Sequence, residues 1–355
     1  MALNLVDAAK LSTDVLLKGI IETIVKESPI LQELPFIDIE GNSLLYNREL
    51  ELPTAAFYAP NASTWAESAP RFTQISAALK ILGGDADVDN YLKTTRSNVQ
   101  DIEAAVIELK AKAIRNAFEN AFLNGDSGAD ANSFDGVYKT LKGTAWAAST
   151  AYALDAVVVP TVPNGFTYIC TTAGTSDATA EPTWPVTLDA TVADASVVWT
   201  CRSGNNKALG TDGAILTLSF MDFLMDMVTG KPDMLLMSRR SRRKIASLAR
   251  ASGSNLEVGT GKLGQPIELF AGVPVAISDW VKDNYTVGAS ADCSAIFALQ
   301  FGEGKLSGLQ NQGIQIEKIG SLETKDATRT RIKWYVSLAL FSTRAAAMLT
   351  GVRAV

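Results

Sequence analysis

Four clusters in this 355-residue chain combine residue types and spacings that could support chemistry. Gly259-Thr-Gly261-Lys-Leu-Gly264 has the glycine spacing of a pyrophosphate-binding turn. That chemistry needs a helix opening directly behind the turn, so that its N-terminal N–H groups face the phosphate. Gln265-Pro266 and a strand-like run follow instead, which makes the string a flexible loop. It also fails as a Walker loop, because Leu256 stands at the first glycine position and Leu263 where Ser or Thr must reach magnesium.

Asp85, Asp87 and Asp89 alternate through a strand-like run, which puts three carboxylates on one face. They repel unless a cation answers them. Calcium accepts such oxygens, but the remaining ligands of an EF-hand loop are missing, so a solvated or partner-facing acidic strand is the preferred reading. An arginine from another subunit would satisfy it equally. Arg239, Arg240, Arg242, Arg243 and Lys244 form the only basic run and fall around a helix start, where the macrodipole opposes cations. Without interleaved aromatics it reads as a solvated or inter-subunit salt-bridging face rather than a nucleic-acid patch. Trp146, Tyr152, Trp184 and Trp199 would serve either as a sugar-stacking surface or as the core of a small domain.

The chain has no histidine, which removes Ser-His and Cys-His dyads and histidine-ligated zinc. No nucleophile, base and orienting group can be assembled, so no catalytic residue, cofactor or metal site is assigned. Lys and Arg number 32 against 38 Asp and Glu, a net charge of −6 that gives no global field for nucleic acid. Cys170, Cys201 and Cys293 form no CxxC pair and read as reduced packing residues, although Cys170 and Cys201 would suit neighbouring strands. No run of 18 apolar residues suggests a membrane span, and residues 1–11 do not read as a signal peptide.

These clusters need elements to hold them. Val15, Leu16, Ile20 and Ile24 predict a short amphipathic helix over 13–27. Residues 44–52 and 73–82 alternate as strands, with Ile75, Ala77, Leu79 and Ile81 on one face. Between them lies a tongue, Pro53 to Pro70, carrying Trp65. A connector of that length usually binds or covers something. Ser97 and Gln100 suggest a capping box. Behind it Val99, Ile102, Val106, Leu109, Ala113, Ala117, Phe118, Ala121 and Phe122 predict a long helix ending at Asn124-Gly125. An α/β block over 216–250 leads through Gly230 to a strand at 234–237. A hairpin joins 266–270 to 273–277 through Ala271-Gly272, and a strand over 330–341 closes the chain.

Residues 143–203 break this composition. They hold twelve threonines, four prolines, three of the six tryptophans and one basic residue, Arg202. Short β-type runs between turns predict a small all-β module inserted in an α+β host.

The order of elements is more informative than any motif. Leu82-Gly-Gly-Asp-Ala-Asp-Val-Asp89 precedes the helix, and Asn124-Gly-Asp-Ser-Gly128 with Phe134-Asp-Gly-Val137 follows it. Lys231-Pro-Asp-Met-Leu-Leu-Met-Ser-Arg-Arg240 and Gly272-Val-Pro-Val-Ala-Ile-Ser-Asp279 come later. With these strings the chain resembles the major capsid proteins of tailed bacteriophages, of the Hong Kong 97-type fold. The resemblance implies an N-terminal arm (1–40), an extended loop (41–90) and a peripheral domain with a spine helix (91–142). The inserted all-β module (143–203), an axial domain with its connection (204–319) and peripheral C-terminal strands (320–355) would follow. It implies a non-enzymatic shell subunit that assembles with itself as hexamers and pentamers in the host cytoplasm and then forms the virion shell. Packaged double-stranded DNA would be held without sequence specificity. A separate scaffold protein, a portal and decoration proteins are the implied partners. Trp65, Arg71, Asp85, Asp87, Asp89, Arg239, Arg240, Arg242 and Arg243 become the candidate subunit contacts. The module resembles small phage immunoglobulin-like or carbohydrate-binding modules; it is expected to project from the outer surface and to be dispensable for assembly. The alternative is a virion or cell-surface carbohydrate-binding protein, with a glycan at the module.

Overall fold

The computed structural model describes residues 29–60, 65, 67–96, 102–253, 257–260 and 266–353. The expected helix over 13–27 and the Ser97–Gln100 capping box lie outside them. A short helix, Ile30–Glu33, leads to strands β1 (Phe36–Asp38), β2 (Ser43–Glu51), β3 (Arg71–Ala78) and β4 (Lys80–Asp89). The helices Asn90–Arg96, Ile102–Asn124 and Val137–Lys142 follow. Then come β5 (Ala151–Tyr152), β6 (Val157–Val158), β7 (Asn164–Thr172), β8 (Gly174–Thr175), β9 (Thr191–Asp194), β10 (Val197–Ala208) and β11 (Ala214–Ile215). The α/β block comprises helix Leu218–Met227, β12 (Met234–Met237) and helix Arg239–Ala251. It continues through β13 (Glu257–Thr260), β14 (Pro266–Phe270), β15 (Val273–Ile277), β16 (Tyr285–Val287) and β17 (Ser290–Leu299). Strands β18 (Leu306–Ser321), β19 (Ala327–Leu340) and β20 (Ala346–Arg353) complete it.

Two sheets organise the body. One runs β1-β18-β19-β4. The other has twelve strands along the path β13-β14-β15-β12-β17-β20-β10-β7-β6, with β9, β11 and β16 attached beside it. Alternation in its central strands covers both faces. Met234, Leu236, Phe297, Leu299 and Met348 pack toward the long helix and the first sheet, with Phe118, Phe122 and Trp334. Leu235, Met237, Ile296, Ala298 and Leu349 pack toward the helices Leu218–Met227 and Arg239–Ala251, with Leu224 and Ile245. Each large side chain buried in this way contributes about 1.5–3 kcal/mol.

The long helix forms as expected, but its buried face is Ile102, Ala105, Ile114, Phe118 and Phe122. Leu109, Ala113 and Ala117, expected inside, are exposed, because the sheet covers a narrower stripe than the apolar pattern offers. Strands β3 and β4 correct a second expectation. The alternation slips where they meet at Leu79, whose N–H donates to Asn42 O at 2.8 Å. Ile81 therefore leaves the Ile75 and Ala77 face and is 74% exposed. The hairpin of β14 and β15 turns at Ala271 and Gly272 with φ of 49° and 72°. Those left-handed values are why a glycine sits there. At Gly308 the ring of Phe36 lies where a Cβ would stand, so β1 packs against β18 only at a glycine.

Residues 143–203 have a core of their own: Trp146, Val158, Tyr168, Cys170, Val197, Trp199 and Cys201. Their backbone is nonetheless continuous with the body. β10 pairs with β7 over 198–203 and, through Asn206–Ala208, lies parallel to β20. The expected boundary at 203 thus falls inside a strand. β18 begins at Leu306 and belongs to the sheet on the long helix, while β20, a buried strand, sits in the middle of the larger sheet.

Candidate assembly surfaces

The three acidic residues of β4 are answered within the chain. The register sets Asp85 opposite Arg331 and Asp87 opposite Arg329. Arg331 donates from Nε to Asp85 Oδ1 at 2.7 Å and from Nη2 to Oδ2 at 3.0 Å. Arg329 holds Asp87 at 2.6 and 2.7 Å in the same two-point manner, and Lys325 Nζ lies 3.6 Å from Asp87. These bonds favour the ionised form and hold both carboxyls below their ordinary pKa. Asp89 faces Ala327 and accepts from the Leu92 N–H at 3.2 Å, capping the helix behind it. The need for an arginine from a neighbour, which made these residues contact candidates, therefore disappears. Arg329-Thr-Arg331 shows the same period of two as the aspartates, a match that only the pairing of β19 with β4 brings out. Among the described residues no cluster of three or more His, Cys, Asp or Glu is placed to hold a metal.

The basic run finds partners within the chain. Ser238 caps the helix, its Oγ accepting from Ser241 N–H at 3.2 Å. Arg239 pairs with Asp279 at 2.9 Å, and Arg240 with Asp283 at 3.3 Å. Arg242 Nε donates to Glu268 Oε2 at 2.7 Å. Carboxylates from the following strands and loop thus offset the unfavourable dipole; Arg243 is exposed.

The four module aromatics form a core. Trp146 and Trp199 are 8% and 0% exposed, and both indole N–H groups donate to the same oxygen, Asp194 Oδ2, at 2.8 and 3.0 Å. Tyr152 meets Trp199 edge-on with centroids 4.9 Å apart, and Trp184 donates to Glu181 at 2.7 Å. Of the two readings open for these residues, the core one holds for Trp146 and Trp199, while Tyr152 and Trp184 are partly buried against them. Asp194 was not anticipated, since a single carboxylate beside two distant tryptophans leaves no pattern. The three cysteines are free and buried; Cys170 pairs in register with Trp199 and Cys201 with Tyr168, so neither thiol faces the other.

The hairpin of β2 and β3 is where surface remains. Its inner face is tied to the body by Tyr46 Oη, which donates to Leu340 O at 3.0 Å, and by Arg48 Nε, which donates to Phe341 O at 2.9 Å. Its outer face and tongue expose Leu45, Leu52, Phe57, Phe72 and Trp65, the last stacked on Tyr58 at 4.2 Å. Arg71, expected to reach a neighbour, is instead paired with Glu51 and Asp155 of its own chain.

The family model for the phage capsid family matches residues 12–351, and the chain belongs to that family. It is a major capsid protein, a subunit of an icosahedral virion shell. No curated protein sequence matches it. Solved structures with the same fold include the holo-SrpI encapsulin complex from Synechococcus elongatus PCC 7942. That structure is 15% identical with a TM-score of 0.62, covering 100% of this chain and 97% of the other. The capsid of a native GTA particle is 13% identical at a TM-score of 0.60, covering 99% and 100%. The capsid of Myoviridae phage XM1 is 12% identical at 0.55, covering 96% and 97%. No helix of the described residues is long and apolar enough to cross a membrane.

Proposed function

We propose that the subunit assembles as hexamers and pentamers around double-stranded DNA, held without sequence specificity, and performs no catalysis. The exposed face of the hairpin carries this reading. A two-stranded ribbon is marginal in water, and one that displays Leu45 and Phe72 at 59% and 64% exposure, with a fully exposed Phe57 at its tongue, gains stability when a neighbour covers it. Many such contacts of modest strength close a shell. A separate scaffold, a portal and decoration proteins fit that assembly, and residues 143–203 would lie toward its outer surface. The carbohydrate-binding alternative loses its support with the burial of Trp146 and Trp199. The test is sedimentation of Phe72→Asp beside the parent chain. Loss of fast-sedimenting particles with an unchanged monomer melting curve supports the reading, and undiminished particles oppose it.

A further inference from the structure

Residues 143–203 contain a single basic side chain, and it points back at the tongue. Arg202 Nη2 lies 3.0 Å from Glu51 Oε1, and its other arm meets Asp189. Glu51 Oε2 lies 2.5 Å from Arg71 Nη2, and Arg71 Nη1 meets Asp155. Asp155, Arg71, Glu51, Arg202 and Asp189 therefore make one row of alternating charge that crosses from module to hairpin and back. Apart from the outermost Asp189, these side chains are 23–37% exposed, which shields the row more than an isolated surface pair.

The position of the row matters. Glu51 and Arg71 are the last cross-strand pair of β2 and β3, and the tongue begins beyond them. Nearer the body the hairpin is anchored by Tyr46 and Arg48, and beneath it lies a cavity of about 410 Å³ lined by Ile75, Ala77, Phe134 and Leu306 among others. That space would let the hairpin tilt about its anchor. On the module side Asp155 sits at φ 68°, a left-handed value few non-glycine residues adopt, with its N–H bonded to Cys170 O at 3.0 Å. In this conformation the Asp155 carboxylate meets Arg71.

We propose that the module is a brace for the tongue: it grips the hairpin at its last ladder pair, stops its tilt over the cavity, and so sets the direction in which the tongue meets a neighbouring subunit. The module is then a working part of assembly, contrary to the dispensable projection expected with the resemblance. The shell readout of this proposal rests on the capsid reading; the readout on the isolated chain does not.

The test uses the full chain with Asp155→Asn and Arg202→Gln, singly and together, since Asn tolerates the left-handed backbone. Hydrogen exchange is followed by mass spectrometry on the unassembled chain over 43–51 and 71–78, with 114–123 and 166–170 as internal references. Shell diameters are measured by negative-stain microscopy. The brace predicts at least about threefold faster exchange in both hairpin strands of the double variant, unchanged references and shells of mixed diameter. Unchanged hairpin exchange overturns it whatever the shells do. Faster exchange with shells of the parent diameter also overturns it, as does equal loss of protection in the module reference, which would report module unfolding. If the parent chain forms no shells even when expressed with neighbouring phage structural proteins, the capsid reading fails, and hairpin exchange alone decides whether the module grips the tongue.

Discussion

Arg329 and Asp87 stand directly opposite each other on β19 and β4 and are joined by two parallel hydrogen bonds of 2.6 and 2.7 Å, with the Asp87 side chain 6% exposed. Replacing Asp87 with Lys sets a cation against Arg329 and Lys325 inside the sheet. The cost is about 3 kcal/mol, read in a urea titration of the unassembled chain. Asp87→Lys therefore acts first on the fold, where a carboxylate waiting for a neighbour would have left the monomer unchanged.

The pH dependence of that contact has a definite sign. Asp85 and Asp87 have folded pKa values below their unfolded ones, because their arginines hydrogen-bond the ionised form. Their contribution is complete above the unfolded value of about 4 and is lost as pH falls through the folded values. Melting temperature measured from pH 7 down to pH 3 should fall in the acid range, and less so in Asp85→Asn/Asp87→Asn.

Glu119 has the opposite sign. It is buried on the long helix, with Oε2 accepting from Trp280 Nε1 at 3.3 Å and Oε1 facing Arg115 Nε at 3.6 Å. Burial raises its pKa against the pull of Arg115 and the Trp280 bond. Its ionisation thus weakens the fold as pH rises through the interval between the unfolded and folded values. Glu119→Gln keeps an acceptor for Trp280 and should be more stable than the parent at pH 8, with the gain shrinking as pH falls through the interval, by denaturant titration.

Phe118 is fully buried among Phe36, Phe122, Phe134 and Trp334, with ring centroids 4.8–6.4 Å away. Phe118→Ala should cost about 3–5 kcal/mol. Leu109→Ala, on the exposed face of the same helix, should stay within about 0.5 kcal/mol in the unassembled chain. Equal losses in the two variants would refute this helix orientation.

Asp194 carries two indole N–H groups and also accepts the Asp177 N–H at 2.8 Å. Asp194→Ala strands these donors in the module core and should cost about 2–4 kcal/mol. Asp194→Asn, which keeps one carbonyl acceptor, should recover part of it. Near-ultraviolet circular dichroism of the tryptophans reports the loss.

What the residues revealed in advance was periodic. The long helix, β12 and both strands of the 266–277 hairpin follow from apolar spacing, while the capsid architecture is what the resemblance carried by the short strings implied. Period does not name a partner, however. The aspartates of β4 were legible as a row but not as the complement of Arg329 and Arg331, since 242 and 246 residues separate the paired positions in the chain. Arg71 looked like an external contact because Asp155 belongs to a segment of foreign composition. Leu109 looked buried because an apolar stripe on a helix is wider than the sheet it meets. Long-range pairing decided each of these, and it lies in no local pattern.

The most direct test of the account is negative-stain electron microscopy of the purified chain, with sedimentation, expressed alone and with neighbouring phage structural proteins. The account predicts closed shells, or tubes and sheets of repeating hexamers. A monodisperse monomer or dimer under every condition would contradict it.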